Sequence, residues 1–114
     1  MAAAAEHKLK VNLELKWAGG DAYDATVTVT VIDSCYHEGE LKVGLPPGQV
    51  AISEIQPLTF SFTHDEGKAC SDLVKPVTKK IQIPHSAGKS KVTAFAVVNG
   101  KVAGEDTKEF PRKQ

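Results

Sequence analysis

Two cysteines and two nearby histidines are the residues of this chain whose types and spacing could do chemistry. Cys35 precedes His37 by two positions, and His64 precedes Cys70 by six. Thiolate and imidazole are preferred ligands of Zn²⁺ and of soft copper sites. On an extended backbone, residues i and i+2 share a face, so Cys35 and His37 could join His64 and Cys70 in a tetrahedral shell. A zinc or copper site is therefore one hypothesis, although the spacing matches no known finger pattern.

The same cysteines permit one intramolecular disulfide, which is the competing interpretation. A bridge between Cys35 and Cys70 closes about 36 residues and stabilises the fold by roughly 3.8 kcal/mol in the chain-entropy model. Disulfides persist in oxidising compartments, so a bridge would indicate an extracellular or periplasmic protein. Two unpaired thiols are the third alternative, and the separation of the Cα atoms, which the sequence does not give, decides among the three.

The plain interpretation of the histidines is that they are solvated. Under it, His37 and His64 are loop residues, and His7 and His85 are surface residues as well.

Carboxylates follow His64 in a stretch without apolar periodicity. Asp65, Glu66 and Asp72 could offer oxygens to Ca²⁺, but no D-x-[DN]-x-[DN]-G loop is present, so we interpret them as parts of a solvated binding loop. A nucleophilic constellation of Cys70, His64 and Asp65 has no sequence context, and the chain has no G-x-S-x-G, H-E-x-x-H or glycine-rich phosphate motif. The sequence therefore predicts no enzyme, and no cofactor unless the zinc or copper site exists.

Composition excludes two classes of partner. The 114 residues contain 14 basic and 14 acidic side chains, and the basic ones are dispersed, which is unlike a nucleic-acid-binding protein. No run approaches the 18 apolar residues that indicate a membrane span. Length predicts one domain, over residues 7–110, with a disordered tail at 1–6 and a frayed tail at 111–114. The alanine-rich start shows no intact leader, and the oligomeric state stays open.

The residues that could position these groups alternate as β-strands do. Residues 24–33 alternate valine with threonine, and residues 7–17 alternate apolar with polar side chains. A helix would scatter such residues around its circumference, so both segments are predicted to be strands with one buried face. A strand of this kind needs neighbours and a covering layer, which predicts a sheet packed on a second sheet.

Further strands are predicted from the same alternation. Asn99 and Gly100 favour a type I′ hairpin turn between two of them, and Gly104 predicts a bulge or a close backbone approach. The longest loop is predicted at residues 64–76. The other predicted strands are 40–45, 50–55, 58–63, 77–83, 91–98 and 101–109. The predicted core consists of Val27, Val29, Val31, Phe60, Phe62, Ile81, Ile83 and Phe95.

These elements predict an all-β fold: an antiparallel β-sandwich of about seven or eight strands. The last two strands, over residues 91–110, resemble the closing hairpin of immunoglobulin-like or fibronectin-type domains. That resemblance implies a fold shared by unrelated functions and carries no site residues with it.

The predicted function is a non-catalytic binding or protein-interaction module in an exported or cell-surface setting. Its partner or ligand is not specified by the sequence. The first alternative is a zinc- or copper-binding domain that uses Cys35, His37, His64 and Cys70. The second is an enzyme inhibitor that inserts a loop stiffened by proline into a cleft. The binding-loop candidates are Tyr36, Pro46, Pro47, Asp65, Glu66 and Asp72.

Overall fold

The computed structural model describes residues 7–111, which form seven β-strands in two sheets. The all-β prediction is therefore confirmed. The predicted tails lie outside the described residues except for Pro111, whose carbonyl accepts a hydrogen bond from the Tyr23 hydroxyl at 2.8 Å. The strands are β1 (Lys10–Gly19), β2 (Ala22–Asp33), β3 (Tyr36–Val43), β4 (Ile55–His64), β5 (Asp72–Pro84), β6 (Lys91–Val98) and β7 (Lys101–Glu109).

One core lies between the three-stranded sheet, β1-β2-β5, and the four-stranded sheet, β3-β4-β6-β7. The valines of β2 are buried against it while the threonines point outward, as the alternation predicts. Every residue predicted for the core except Phe95 lies in it or packs against it. The largest fully buried side chains are Tyr23, Phe60, Leu13, Leu58 and Ile83.

The pairing of β4 with β6 is parallel, whereas the other neighbouring strands are antiparallel. The prediction of a wholly antiparallel sandwich is wrong at this pair. Between the two strands the chain crosses to the other sheet, forms β5 and returns, so β6 runs in the same direction as β4. Alternation in a sequence shows which side chains face the core, but it does not show which sheet a strand joins. Immunoglobulin-type sheets are antiparallel, so this pair also differs from the predicted likeness.

Two predicted segments have different structures. Residues 50–55 alternate, but only Ile55 belongs to a strand, and Val50 and Ile52 are exposed in a stretch that pairs with no neighbouring strand. The loop predicted at 64–76 is shorter, since β5 begins at Asp72. The first half of β5 is exposed on both faces at the edge of its sheet, which is why it shows no apolar period and tolerates Pro76.

The hairpin between β6 and β7 is confirmed, with φ of 50° at Asn99 and 83° at Gly100. Positive φ at both residues is what a type I′ turn requires. Gly104 is also explained, because the register shifts beside it and a Cβ there would collide with the carbonyl oxygen of Leu9. At this point the two sheets meet edge to edge, and the Leu9 amide donates to the carbonyl of Ala103 at 2.8 Å.

Phe95 is buried on the opposite face of the four-stranded sheet, which corrects its assignment to the core. Ala94 and Ala96 face the core, so the side chain between them points to the outer side. There, it lines a groove together with Leu45, Val50 and Ile52. β6 is accordingly a central strand buried on both faces, which fits its continuous run of apolar residues.

Candidate functional site

Cys35 and Cys70 lie at disulfide-bonding distance at one end of the sandwich, where β2 and β4 end and β3 and β5 begin. Their Cα atoms are 5.6 Å apart, within the range that a bridge allows, and neither cysteine is free. The backbone is also tied there, because the Ser34 amide donates to the Ser71 carbonyl at 3.0 Å. This geometry agrees with the disulfide interpretation and is compatible with an oxidising compartment.

The predicted set of metal ligands is not brought together as a whole. One group of possible ligand atoms lies within 4.8 Å of one another, and it comes from Asp33, Cys35, His64 and Cys70. Asp33 therefore takes the place in this group that was predicted for His37. The shared-face argument fails because Cys35 lies in the turn before β3 and not on the strand itself. The His37 side chain is 56% exposed, and its Nε2 lies 2.8 Å from Oδ2 of Asp65. Sulfurs joined in a disulfide are not thiolate ligands, which removes two members of the predicted set.

His64 is enclosed and is held by Asp33. Its side chain is 11% exposed, and Nε2 lies 3.1 Å from both oxygens of the Asp33 carboxylate. Burial acts to raise the pKa of Asp33, but the Cys35 amide, which donates to Oδ1 at 2.9 Å, and His64 outweigh it and lower that pKa below its usual value. Asp33 is therefore ionised at neutral pH and accepts a proton-bearing nitrogen. The prediction that His64 is a solvated loop residue is wrong.

His7 packs beside His64, with ring centroids 4.7 Å apart and a side chain only 12% exposed. Its Nδ1 lies 2.8 Å from the Tyr36 hydroxyl, and its Nε2 lies 3.0 Å from Oε1 of Glu66. The prediction that His7 is a plain surface residue is therefore wrong. Its sequence did carry a signal, because His7 shares the parity of Leu9 and the other inward residues of the first strand.

Glu66 contacts both of these histidines and also Asn99. Its Oε1 lies 3.4 Å from Nδ1 of His64, and the amide of Asn99 donates to it at 3.3 Å. Asn99 also exchanges hydrogen bonds with the backbone of His64, at 3.0 and 3.1 Å. The hairpin turn therefore positions both residues. The name histidine cluster is used below for His7, Asp33, Tyr36, His64 and Glu66.

Tyr36 is kept neutral by its surroundings in the histidine cluster. Burial, together with the charges of Asp33 and Glu66, raises the pKa of Tyr36, so the phenol stays protonated. Within the described residues, Nδ1 of His64 is a buried polar atom without a hydrogen-bond partner. Buried polar groups nearly always have a hydrogen-bond partner, so this nitrogen is an exception that requires an explanation.

A groove on the outer face of the four-stranded sheet is the second candidate site. It has a volume of about 320 Å³ and lies between residues 44–54 and the strands β4, β6 and β7. Its lining includes the nearly buried Phe95, called the floor below, and the exposed Leu45, Val50 and Ile52, called the rim. The name apolar groove is used below for this feature. Pockets of this size fit one or two side chains or a small ligand.

Comparison with family models, with curated proteins and with solved structures found no match to this chain.

The remaining binding-loop candidates are placed apart from one another. Pro46 is buried and anchors residues 44–54, whereas Pro47 is exposed. Asp65 lies outside the histidine cluster, and its hydrogen bond from His37 lowers its pKa. Asp72 is exposed and belongs to the exposed start of β5. Residues 7–111 include no helix that is long and apolar enough to cross a membrane.

Proposed function

We propose that the protein is a non-catalytic protein-interaction module that accepts an apolar side chain of a partner protein in the apolar groove. The observation that carries the proposal is the exposure of large aliphatic side chains at the rim. Val50 is 84% exposed and Ile52 is 55% exposed, beside a floor formed by Phe95, which is 8% exposed. Apolar surface left open around a concave site is typical of a docking surface.

A protein partner fits these features better than a small ligand. Leu45, which is also exposed, adds to the apolar surface of the rim. A small molecule inside the groove would leave this rim in water, whereas a partner that covers the rim removes it from water. Glu105 and Lys89 both line the groove, so a charged group of either sign on a partner can find a complementary charge beside the inserted side chain.

The proposed setting is extracellular or periplasmic. It is supported by the disulfide-bonding distance between Cys35 and Cys70, since disulfides form and persist in oxidising compartments. Immunoglobulin-like sandwiches that serve as recognition modules offer an analogy at the level of fold, and the analogy assigns no residue.

Selection from a random peptide library tests the proposal with a defined probe. Peptides that bind the wild-type protein should share an apolar residue. Their affinity should fall at least tenfold with Ile52→Asp at the rim and with Glu105→Trp, which places a ring over the groove. Val74→Asp is the matched control, because Val74 is an aliphatic residue that is 77% exposed on the other sheet. Equal losses in the control, or no selected peptide, would refute the proposal.

A loop-inserting inhibitor is the second candidate, favoured by one observation. Residues 44–54 are anchored by the buried Pro46 and present Pro47 and Val50 to solvent, an arrangement that lowers the ordering cost of an inserted loop. The two candidates differ in the surface they use. Inhibition of an enzyme should be lost with Val50→Asp and retained with Glu105→Trp, whereas a partner that enters the groove should be sensitive to both. A panel of hydrolases assayed with both variants separates these outcomes.

A further inference from the structure

We infer that the histidine cluster is a binding site for a divalent transition-metal ion of the Zn²⁺ type, ligated by Nε2 of His7, Nδ1 of His64 and the carboxylate of Glu66. This set differs from the one predicted from sequence, since it contains no sulfur and shares only His64 with it. The inference is independent of the apolar groove, which is formed by other residues on a different face.

The surroundings of His64 determine which of its ring nitrogens carries the proton. The Asp33 carboxylate accepts hydrogen bonds only, so the nitrogen it faces, Nε2, carries the proton. In the neutral ring, Nδ1 then presents a lone pair, and it lies 3.4 Å from Oε1 of Glu66, which is also an acceptor. Two lone pairs at this distance repel unless a proton or a metal ion lies between them. A metal ion there joins Nδ1 and Oε1 to Nε2 of His7 at one centre and satisfies the buried nitrogen that lacks a partner.

The donor atoms lie at distances from one another that suit one metal ion. Ligands bound at about 2.1 Å in a tetrahedral shell lie about 3.4 Å from each other. Oε1 of Glu66 lies 3.4 Å from Nδ1 of His64 and 3.0 Å from Nε2 of His7. The donor atoms of all three residues lie within 4.8 Å of one another. The side chains therefore need only small adjustments to surround one ion.

Each imidazole also has a hydrogen-bond partner at its other ring nitrogen. A histidine that ligates a metal nearly always donates its other ring N–H to a carboxylate, a carbonyl or water, which fixes the ring and the tautomer. Asp33 plays this part for His64. The Tyr36 hydroxyl, 2.8 Å from Nδ1 of His7, can accept from that nitrogen as well as donate to it, so it supports the tautomer whose Nε2 is free to ligate.

Donor chemistry selects the ion. Two imidazoles and one carboxylate favour Zn²⁺ and related transition metals, whereas Ca²⁺ and Mg²⁺ prefer oxygen ligands throughout. The carboxylates of Glu66 and Asp33 together balance a charge of +2. Three protein ligands leave a fourth position for water or for a group of a ligand, as in zinc sites that are not closed.

Titration calorimetry with ZnCl₂ tests the inference on the full chain, purified without a histidine tag and with its cysteines oxidised. We expect one Zn²⁺ per chain, undisturbed by millimolar Ca²⁺. Glu66→Gln and His7→Gln should each weaken binding at least tenfold, because each removes one ligand. His37→Gln is the matched control, since His37 also pairs with a carboxylate but lies outside the cluster. Glu66 is half exposed, so its variant should fold normally.

Nitrogen-detected NMR of the histidine rings gives an independent readout. On addition of Zn²⁺, Nδ1 of His64 and Nε2 of His7 should shift, while the nitrogens of His37 stay unchanged. Three results would each overturn the inference: no binding at a ratio of one to one, an equal loss with His37→Gln, or binding that requires reduction of the cysteines. The last would assign the metal to the thiolates of Cys35 and Cys70 instead.

Discussion

Replacing Gly104 with alanine should open the edge where β1 meets β7. A Cβ at this position would collide with the carbonyl oxygen of Leu9 and lie 3.2 Å from Cγ2 of Val11. β1 then has to retreat by roughly 1 Å to restore ordinary van der Waals contact. Because the added atom meets backbone and not the end of a flexible side chain, rotation of a side chain cannot relieve the collision.

The expected cost follows from two effects. Overpacking of a rigid contact costs about 1–3 kcal/mol. The Leu9 amide also loses its 2.8 Å hydrogen bond to Ala103, which is worth about 1 kcal/mol. We therefore expect Gly104→Ala to lower the free energy of unfolding by about 2–4 kcal/mol, or roughly 4 °C in melting temperature for each kcal/mol.

Urea denaturation measures the loss, and hydrogen exchange locates it. Exchange of the Leu9 amide should accelerate more than exchange of amides in the interior of β2. Gly100→Ala is the control for conformational cost alone, since Gly100 has φ of 83° but no atom within 4 Å of the added Cβ, and it should cost about 1 kcal/mol. If Gly104→Ala were no more damaging than this control, the steric reasoning would be refuted.

Three further predictions concern the core, the disulfide and an exposed ion pair. Phe60→Ala should cost about 3–5 kcal/mol because the ring is fully buried, and a loss under 1 kcal/mol in urea denaturation would contradict the assigned core. Reduction of Cys35 and Cys70, 35 residues apart, should cost up to about 4 kcal/mol, so an unchanged midpoint would count against the loop-entropy argument. His37→Ala should raise the pKa of Asp65 toward its usual value in an NMR titration, since the hydrogen bond from His37 lowers that pKa. The pair's contribution to stability is present when the pH is above the usual pKa of an aspartate, and it is lost as the pH falls through the lowered pKa of Asp65.

The fold could be predicted where a local pattern has one physical solution. Alternation of valine and threonine in β2 fits only a strand with one buried face, and Asn99 with Gly100 fits a tight hairpin turn. The parallel pairing of β4 with β6 could not be predicted, because each strand keeps the same alternation whichever sheet it joins. For the same reason Val50 and Ile52 resemble a strand in sequence although no neighbouring strand pairs with them.

The histidine cluster could be predicted only in part. Residues around Cys35 and Cys70 were expected to converge, and Glu66 was expected in a binding loop. His7 and Asp33 were missed, because a polar residue at the start or end of a strand looks like an ordinary surface position. Parity with Leu9 was the available signal for His7. For Asp33, the signal was its position two residues before Cys35, because an aspartate side chain often accepts a hydrogen bond from the backbone amide two residues later.

Contacts between residues distant in sequence hold the histidine cluster together. The backbone near His7 is fixed because the amide of Leu9, two residues after His7, donates a hydrogen bond to the carbonyl of Ala103. Residues 65–71, which contain Glu66, are tied at one end to β4 and at the other to the disulfide at Cys70. The three proposed ligands therefore meet at positions that the fold has already ordered, and a metal ion does not have to supply the free energy of bringing them together. Such an arrangement favours tight binding, because the entropy of ordering is lost during folding and not during association.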